Sequence, residues 1–311
     1  MNIRVLDPPS AALWFAALTD ALPAADDIVR LVDLLAPGSL RPHLRIVAAR
    51  DGTPFGRLAA LCDGECITIW NPSFRDHTGQ EDIREAMQMM TRRATAARRG
   101  AGFAHLPIEN RPGDDLAHND LWLRVIKEEG YLETCIYQVY ASAIDGVPLP
   151  ARPLPGMIFR DVGSQNSGLV KIYSRVRSQT LQQRHADRDN PRGAIDRMRM
   201  VGRGIVGAAW VIACLNGTPA GYALANLADE GDFEGTSAWL VDIGCLPEYR
   251  RRGIGAALLG EIIRRLKAAS VRTLLAAIDD VNLPSLQLHA AFGFQPLPGR
   301  HYIYRLPPEQ R

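Results

Sequence analysis

The sequence lacks most features that would place a protein outside the cell, in a membrane or on nucleic acid. Its five cysteines, Cys62, Cys66, Cys135, Cys214 and Cys245, are odd in number and form no CxxC pair. That argues against a disulfide framework or a zinc ribbon and for small, reduced thiols buried as hydrophobes. The seven histidines show no HExxH spacing, so no metal is expected. No apolar run approaches the ~20 residues that span a bilayer. The opening "MNIRVLDPPSAALWF" does not set a basic stretch ahead of an apolar one, as a secretory signal does. The formal net charge is only +2, too little to make nucleic acid or a membrane surface the main partner. A cytoplasmic protein, monomeric or homodimeric, is the expectation.

What is present is ordinary for a globular protein: 47% hydrophobic and 23% charged residues in a chain of 311. At roughly 150 residues per domain, two domains are expected. The segment "GVPLPARPLPG", residues 146–156, carries prolines at 148, 150, 153 and 155 and reads as a semi-rigid spacer. It divides the chain into 1–145 and 157–311.

The two sides resemble each other. "DGTPFGRLAAL" from Asp51 and "NGTPAGYALAN" from Asn216 both follow an apolar strand with an Asp/Asn-Gly turn and a second strand, a hairpin signature. Asn119 precedes Gly130-Tyr131 as Asn282 precedes Gly293-Phe294, and "NPSFR" from Asn71 reads against "LPEYR" from Leu246. The three matches keep their order at offsets of 165, 163 and 175, which indicates an internal duplication.

In the second half, strands are expected at "GMIFRDV", "AAWVIACL", "AGYALANL", "SAWLVDIGCL", "VRTLLAAI" and "YIYRL". Two helices with a polar break near "RHADRDNPRG" fill 164–203, and "LPSLQLHAAF" opens a short helix with proline in its first turn. From Ile254 to Ala269, Ile254, Leu258, Ile262 and Leu266 recur every four residues, as one face of a helix requires. The fold class is therefore α/β, or α+β, around a mixed sheet. In the first half Ile83, Ala86, Met87, Met90, Ala94 and Ala97 make a helical stripe in the place of the Ile254 helix.

The stretch "PEYRRRGIGAALL", Pro247 to Leu259, carries the chemistry. A strand, then Arg-x-x-Gly-x-Gly, then a helix leaves backbone N–H groups free at a helix N-terminus. Glycines allow close approach and positive φ. The N–H cluster, the helix dipole and the arginines together make a pyrophosphate site.

"DIGCLPEYRRRGIGAALL" resembles the acetyl-CoA motif of the GNAT superfamily of N-acetyltransferases, with Arg250, Gly253 and Gly255 at its defining positions. "NLPSLQLHAAFGF" resembles that superfamily's second motif through Asn282, Ser285, Leu288, Gly293 and Phe294. The resemblance implies two tandem GNAT folds, with the following roles in the second. The N–H groups of Arg251, Arg252, Gly253, Ile254, Gly255 and Ala256 would cradle the pyrophosphate. The strand ending at Cys245 would splay from the next one, and the backbone of Ile243 and Cys245 would pair with the pantetheine arm in the gap. The Cys245 N–H would polarise the thioester carbonyl, and Asn282 would bond the pantetheine, with Ser285 beside it. His289 stands where many members carry a tyrosine that protonates the leaving thiolate. As a histidine it is either the general acid or a residue lining the coenzyme.

A general base is harder to place. Asp242 faces away from Cys245 by strand alternation and reaches the acceptor side only if the strand bulges. Otherwise it pairs with an arginine. Tyr173, His185, Asp187 and Glu234 lie in segments expected to wall the acceptor site, and the arginines between Tyr173 and Met200 suit an acidic acceptor or a solvated helix face.

The first half departs from the pattern at the equivalent turn, "NPSFRDHTGQED". Read from Arg75, it has Thr78 for Gly253 and Gln80 for Gly255, and Asp76 and Asp82 oppose an anion. Ile126 replaces His289. The first half is expected to keep the fold without binding CoA. The expected function is acetyl transfer from acetyl-CoA to a small-molecule amine by direct attack. A CoA-binding regulator without turnover, and an enzyme using another acyl-CoA or a hydroxyl acceptor, are the alternatives.

Overall fold

The computed structural model describes residues 3–6, 43–63, 66–70, 72–75, 78–96, 102–108, 116–147, 154–162, 167–178, 191–199, 205–228 and 236–306. They form two compact units, Met1–Ile136 with Gly299–Arg311, and Tyr137–Pro298.

The first unit holds β1 (Ile3–Leu6), β2 (His43–Arg50), β3 (Thr53–Asp63), β4 (Cys66–Trp70), β5 (Ser73–Phe74), α1 (Gln80–Ala96), β6 (Gly102–Ile108) and α2 (Leu116–Glu128). Its sheet runs β1-β2-β3-β4-β6 and is completed by β14 (Arg300–Leu306), with only β4 and β6 parallel among these. The helical stripe of the sequence is the buried face of α1: Ile83, Ala86, Met87, Met90 and Ala94 pack with Trp122, Tyr131 and Tyr304. Ala97 of that stripe lies outside the described residues.

The second unit begins within β7 (Leu132–Ala143) and holds β8 (Met157–Asp161), α3 (Ser167–Arg177), α4 (Pro191–Met198), β9 (Ile205–Leu215), β10 (Thr218–Leu227), β11 (Ser237–Cys245), α5 (Ile254–Ala268), β12 (Thr273–Asp279), α6 (Leu283–Ala291) and β13 (Gln295–Pro296). Its strand order is β7-β12-β11-β10-β9-β8. One face packs on α5 through Leu258, Leu259, Ile262, Ile263 and Leu266, with Val211, Ala223 and Leu240 of the sheet. The other packs on α3 and α4 through Leu169, Ile172, Tyr173, Val176 and Ile195, with Trp210, Tyr222 and Leu224. Burial of these apolar side chains is the main favourable term holding the unit together, and the α3 face also encloses polar groups, among them Asn226, which accepts from the Trp210 indole at 2.8 Å.

The units do not part at residues 146–156, where composition puts the spacer. Each half's closing strand belongs to the other unit. Tyr137–Ala143 of β7 pair antiparallel with β12, and β14 pairs antiparallel with β6. Backbone hydrogen bonding decides this membership, and composition does not record it.

The duplication is visible in backbone detail. Both hairpin turns take left-handed φ at both central residues, 48° and 85° at Asp51-Gly52 and 50° and 80° at Asn216-Gly217. That is the pattern that matches strand twist in a two-residue hairpin. Both are followed by a register shift at the same place, skipping Phe55 in one unit and Ala220 in the other. Gly130 and Gly293 end their helices in the left-handed region, φ 84° and 75°. The third sequence match is shifted. Phe74 pairs with Gly56 as Cys245 pairs with Gly221, and Ile69 with Ala60 as Leu240 with Ala225. The true offset here is 171, so Phe74 corresponds to Cys245 and not to Tyr249.

Candidate active site

β11 is held differently along its length. Its first residues pair parallel with β12, from Ser237↔Thr273 to Leu240↔Ala276, and there the pairing stops. β12 runs on to Asp279 and β11 to Cys245, which keeps its other edge on β10 through Leu224↔Asp242, Ala223↔Ile243, Tyr222↔Gly244 and Gly221↔Cys245. The two strands therefore part beyond Leu240, as the resemblance implies, and leave an edge of backbone groups open to an extended ligand. A β-bulge sits at the parting point: Val241 is the extra residue between Ala225↔Leu240 and Leu224↔Asp242. The bulge resets the alternation. Leu240, Ile243 and Cys245 all pack on the α5 side, while Asp242 shares the α3 side with Tyr222.

After Cys245 a short 3-10 turn, Pro247–Tyr249, leads to the arginines. Arg251 has φ 61° and Gly253, the N-cap of α5, has φ 79°. Two left-handed residues thus flank Arg252 just ahead of a helix N-terminus, the kind of turn in which successive N–H groups can gather round an anion. Among the described residues no side chain caps α5, and its first turn carries no acidic residue, so none of their carboxylates claims the N–H groups of Ile254, Gly255 and Ala256. The arginine side chains are exposed. Arg250 Nε donates to the Cys245 carbonyl at 3.3 Å, tying the turn back to the strand, and the Arg252 guanidinium lies 5.7 Å from the centre of the Tyr249 ring. Gly255 is not glycine for packing reasons. A Cβ there would meet Leu288 Cδ2 at 3.4 Å and Cys245 Sγ at 3.8 Å, ordinary contact distances. What its hydrogen leaves free is the approach to the helix end. The Cys245 thiol is pushed up to about 11 by burial, so it stays protonated near neutrality and packs as a hydrophobe.

α6 supplies the third element. Asn282 caps it, its Oδ1 accepting from the Ser285 N–H at 3.3 Å, so its amide NH2 is what remains for a ligand carbonyl. His289 is 2% exposed and meets Phe294 edge-on, with ring centres 4.9 Å apart. Its Nδ1 lies 2.8 Å from the Ser285 carbonyl and 3.3 Å from the Ser285 hydroxyl. A carbonyl only accepts, so Nδ1 carries the ring proton, and Nε2 of the neutral ring is a bare acceptor. Nε2 is buried and has no hydrogen-bond partner among the described residues. Burial holds this imidazole below the usual 6.5, with the Ser285 carbonyl opposing. This changes the expectation of a resting general acid: the resting ring has no proton to give from Nε2.

Asp242 is likewise not poised as a base. Its Oδ2 accepts from Tyr222 Oη at 2.8 Å and from the Arg177 guanidinium at 3.0 Å, and its Oδ1 accepts the Ile243 N–H at 2.9 Å. Three donors commit both oxygens, and the bulge that was to bring it to the acceptor side delivers it to this cluster. Burial raises Tyr222 well above its ordinary range, and Asp242 holds Arg177 firmly charged. The Arg177 guanidinium also lies 5.4 Å from the Tyr173 ring centre. Of the acceptor-wall candidates, Tyr173 is buried in this cluster, and His185, Asp187 and Glu234 lie outside the described residues. Sequence reasoning missed Arg177 and Tyr222. The signal it had was Asp242 itself, a charge on a strand otherwise apolar, which demands a partner when buried.

The first unit lacks the matching geometry. Only five residues join Phe74 to α1, against eight from Cys245 to α5. The register puts Gly79, not Thr78, at the residue before the helix, and its φ is not left-handed. Thr78 Oγ1 donates to the Arg75 carbonyl at 2.8 Å, and Glu81 and Asp82 occupy the first turn. These carboxylates put negative charge at the helix end where a phosphate would have to sit, and Asp82 pairs with Arg50. Ile126, in the place of His289, is fully buried.

Among the described residues no group of three or more His, Cys, Asp and Glu is arranged to hold a metal, and no helix is long and apolar enough to cross a membrane. Residues 178–294 match the model of the acetyltransferase (GNAT) family. A tandem GNAT protein from the clavulanic acid biosynthesis pathway is similar over 100% of both chains, with TM-score 0.63 and 16% identity. A GCN5-related N-acetyltransferase from Sphaerobacter thermophilus is similar over 98% of this chain and 95% of its own, with TM-score 0.58 and 16% identity. One from Kribbella flavida is similar over 90% and 95%, with TM-score 0.54 and 15% identity. At such identities these likenesses establish the fold, and the first of them carries it twice.

Proposed function

Because residues 178–294 match the model of the acetyltransferase (GNAT) family, we propose that the chain is a member of it and transfers an acetyl group from acetyl-CoA to the amine of a small molecule by direct attack within a ternary complex. The observation that carries this reading is the parting of β11 from β12 after Leu240↔Ala276, beside a turn with left-handed Arg251 and Gly253. An open strand edge suits the amide-bearing pantetheine arm, and the nest suits the pyrophosphate at its far end.

In this reading the N–H groups from Arg251 to Ala256 hold the pyrophosphate, the Asn282 amide donates to a pantetheine carbonyl, and Ser285 positions both Asn282 and His289. The Ile243 N–H is spent on Asp242, so the Cys245 N–H is the donor assigned to the thioester carbonyl. The attacking amine forms the C–N bond as the C–S bond breaks, and one proton must pass from nitrogen to sulfur. His289 fits that transfer as a relay: its bare Nε2 takes the proton from the amine and returns it to the thiolate. One residue then serves as both base and acid, and Asp242 acts by position alone. No covalent enzyme intermediate is needed, in keeping with a Cys245 thiol that stays protonated. The first unit takes no part in donor binding.

The test is thiol release from acetyl-CoA across a panel of small amines, with longer acyl-CoA thioesters and alcohols as comparison arms. Turnover with an amine is the expected result. Tight CoA binding without turnover on any acceptor would replace the enzyme with a binding protein, and preference for an alcohol or a longer acyl group would correct the substrate.

A further inference from the structure

We infer that Arg177, acting through Asp242, is the positioning residue that holds the free end of β11 open to the acyl donor, an inference that rests on the acyl-CoA reading of the cleft. A strand that loses its neighbour on one side is free to fray or to close back on it. β11 does neither, and the contacts at its free end explain why. The bulge at Val241 falls where the pairing with β12 stops and turns Asp242 toward α3. There Arg177, the last residue of α3, meets Asp242 Oδ2 at 3.0 Å, and Tyr222 of β10 meets the same oxygen at 2.8 Å. The carboxylate's other oxygen fixes the Ile243 N–H at 2.9 Å. Next along the strand, Gly244 has no room for a Cβ, which would fall 2.7 Å from Val176 Cγ1, so α3 presses directly on the backbone here. Arg177 and Asp242 side chains are 19% and 12% exposed, which shields the pair from screening by solvent and salt. Helix, bulge and the strand end that has left β12 are thus joined at one carboxylate. The Cys245 N–H, two residues beyond Ile243, takes its direction from that anchorage.

The experiment compares wild type, Arg177→Met, Tyr222→Phe and the neutral pair Arg177→Met/Asp242→Asn in the full chain. Three readouts are taken: CoA binding by calorimetry, KM and kcat for acetyl-CoA with the acceptor saturating, and hydrogen exchange of the Ile243 and Cys245 amides. Arg177→Met should weaken CoA binding about tenfold or more and raise KM more than it lowers kcat. It should also speed exchange at both amides without altering exchange in α5. The neutral pair, with no buried charge left uncompensated, should regain stability while keeping the weakened affinity and the faster exchange; affinity restored to the wild-type value would overturn the inference, by tracing the single variant's loss to an unpaired buried charge. If Arg177→Met fails to fold, Tyr222→Phe carries the test, with the same pattern at smaller amplitude. Unchanged affinity and exchange in a folded variant would overturn the inference, as would a loss confined to the acceptor KM. Wild type that binds no CoA would instead sink the acyl-CoA reading, while the exchange data would still decide whether Arg177 anchors the strand.

Discussion

Replacing Gly255 with aspartate should leave the protein at least as stable and weaken its hold on CoA by about 30-fold or more. The position is the second residue of α5 and its φ is not left-handed. The new Cβ meets only ordinary contacts, 3.4 Å to Leu288 and 3.8 Å to Cys245 Sγ. Removing a glycine from a helix is worth a few tenths of a kcal/mol, up to about 1. A carboxylate in the first turn adds roughly 0.3–1 kcal/mol from the helix dipole. The unliganded protein should therefore gain up to about 1–2 kcal/mol, seen as an unchanged or higher Tm. The ligand meets the opposite sign. One carboxylate about 5 Å from a phosphate charge costs roughly 1–3 kcal/mol at an effective dielectric between 80 and 20. With about two charges on the pyrophosphate the loss is at least ~2 kcal/mol, or about 30-fold in Kd. Gly255→Ala, which adds the Cβ without the charge, separates bulk from repulsion and should bind within about threefold of wild type. Thermal unfolding and CoA calorimetry on the three proteins make the measurement. A stable aspartate variant that binds CoA within about threefold of wild type would refute the phosphate nest.

The relay assigned to His289 has a signed pH dependence. Protonation disables its acceptor, so kcat should rise with pH through a value below 6.5 and then level off, and His289→Phe should lower kcat more than it raises KM; a rate that falls as pH rises would restore a resting acid. Because the folded value is depressed, the same ring lends its stability in full above about 6.5 and loses it as pH falls below, a slope in urea unfolding that His289→Phe should lack. Gly244→Ala should cost about 1–3 kcal/mol, since its Cβ would fall 2.7 Å from Val176 Cγ1 and 3.1 Å from the Tyr222 ring; neutral unfolding data would deny that α3 packs on this strand. Tyr304→Ala removes a ring that is 1% exposed in the first unit and should cost about 3–5 kcal/mol, with faster hydrogen exchange in α1; unaltered exchange there would place β14 elsewhere.

The sequence made the glycine turn legible because φ > 0 and close approach are properties of single residues, and Gly253 declares them. The helical stripes of α1 and α5 were legible for a similar reason: period alone fixes which face is buried. What hid was everything decided by pairing. The bulge at Val241 is a count of residues on one strand against another, so alternation gave Asp242 a face without saying what stood there. The partner, Arg177, comes from a segment rich in arginines in which no local pattern marks one as buried. The third repeat match went astray by four residues because "PSFR" and "PEYR" look alike while the sheet register, fixed by Gly56 and Gly221, sets Phe74 opposite Cys245's place. The proton on His289 was equally out of reach, since it depends on the Ser285 carbonyl one helical turn away.

The closing strands bear on why the first unit persists. The residue before its helix is not left-handed and the helix carries Glu81 and Asp82 in its first turn, so the donor site proposed for the second unit does not account for its retention. Yet Tyr137–Ala143, encoded at its end, are the strand beside β12, and Arg300–Leu306, encoded after the second unit, complete the sheet of the first. A gene deletion or a protease cut at the proline-rich segment would release two fragments, each missing a strand that only the other encodes. Once the copies were braided in this way, neither could be lost without exposing a sheet edge in the survivor.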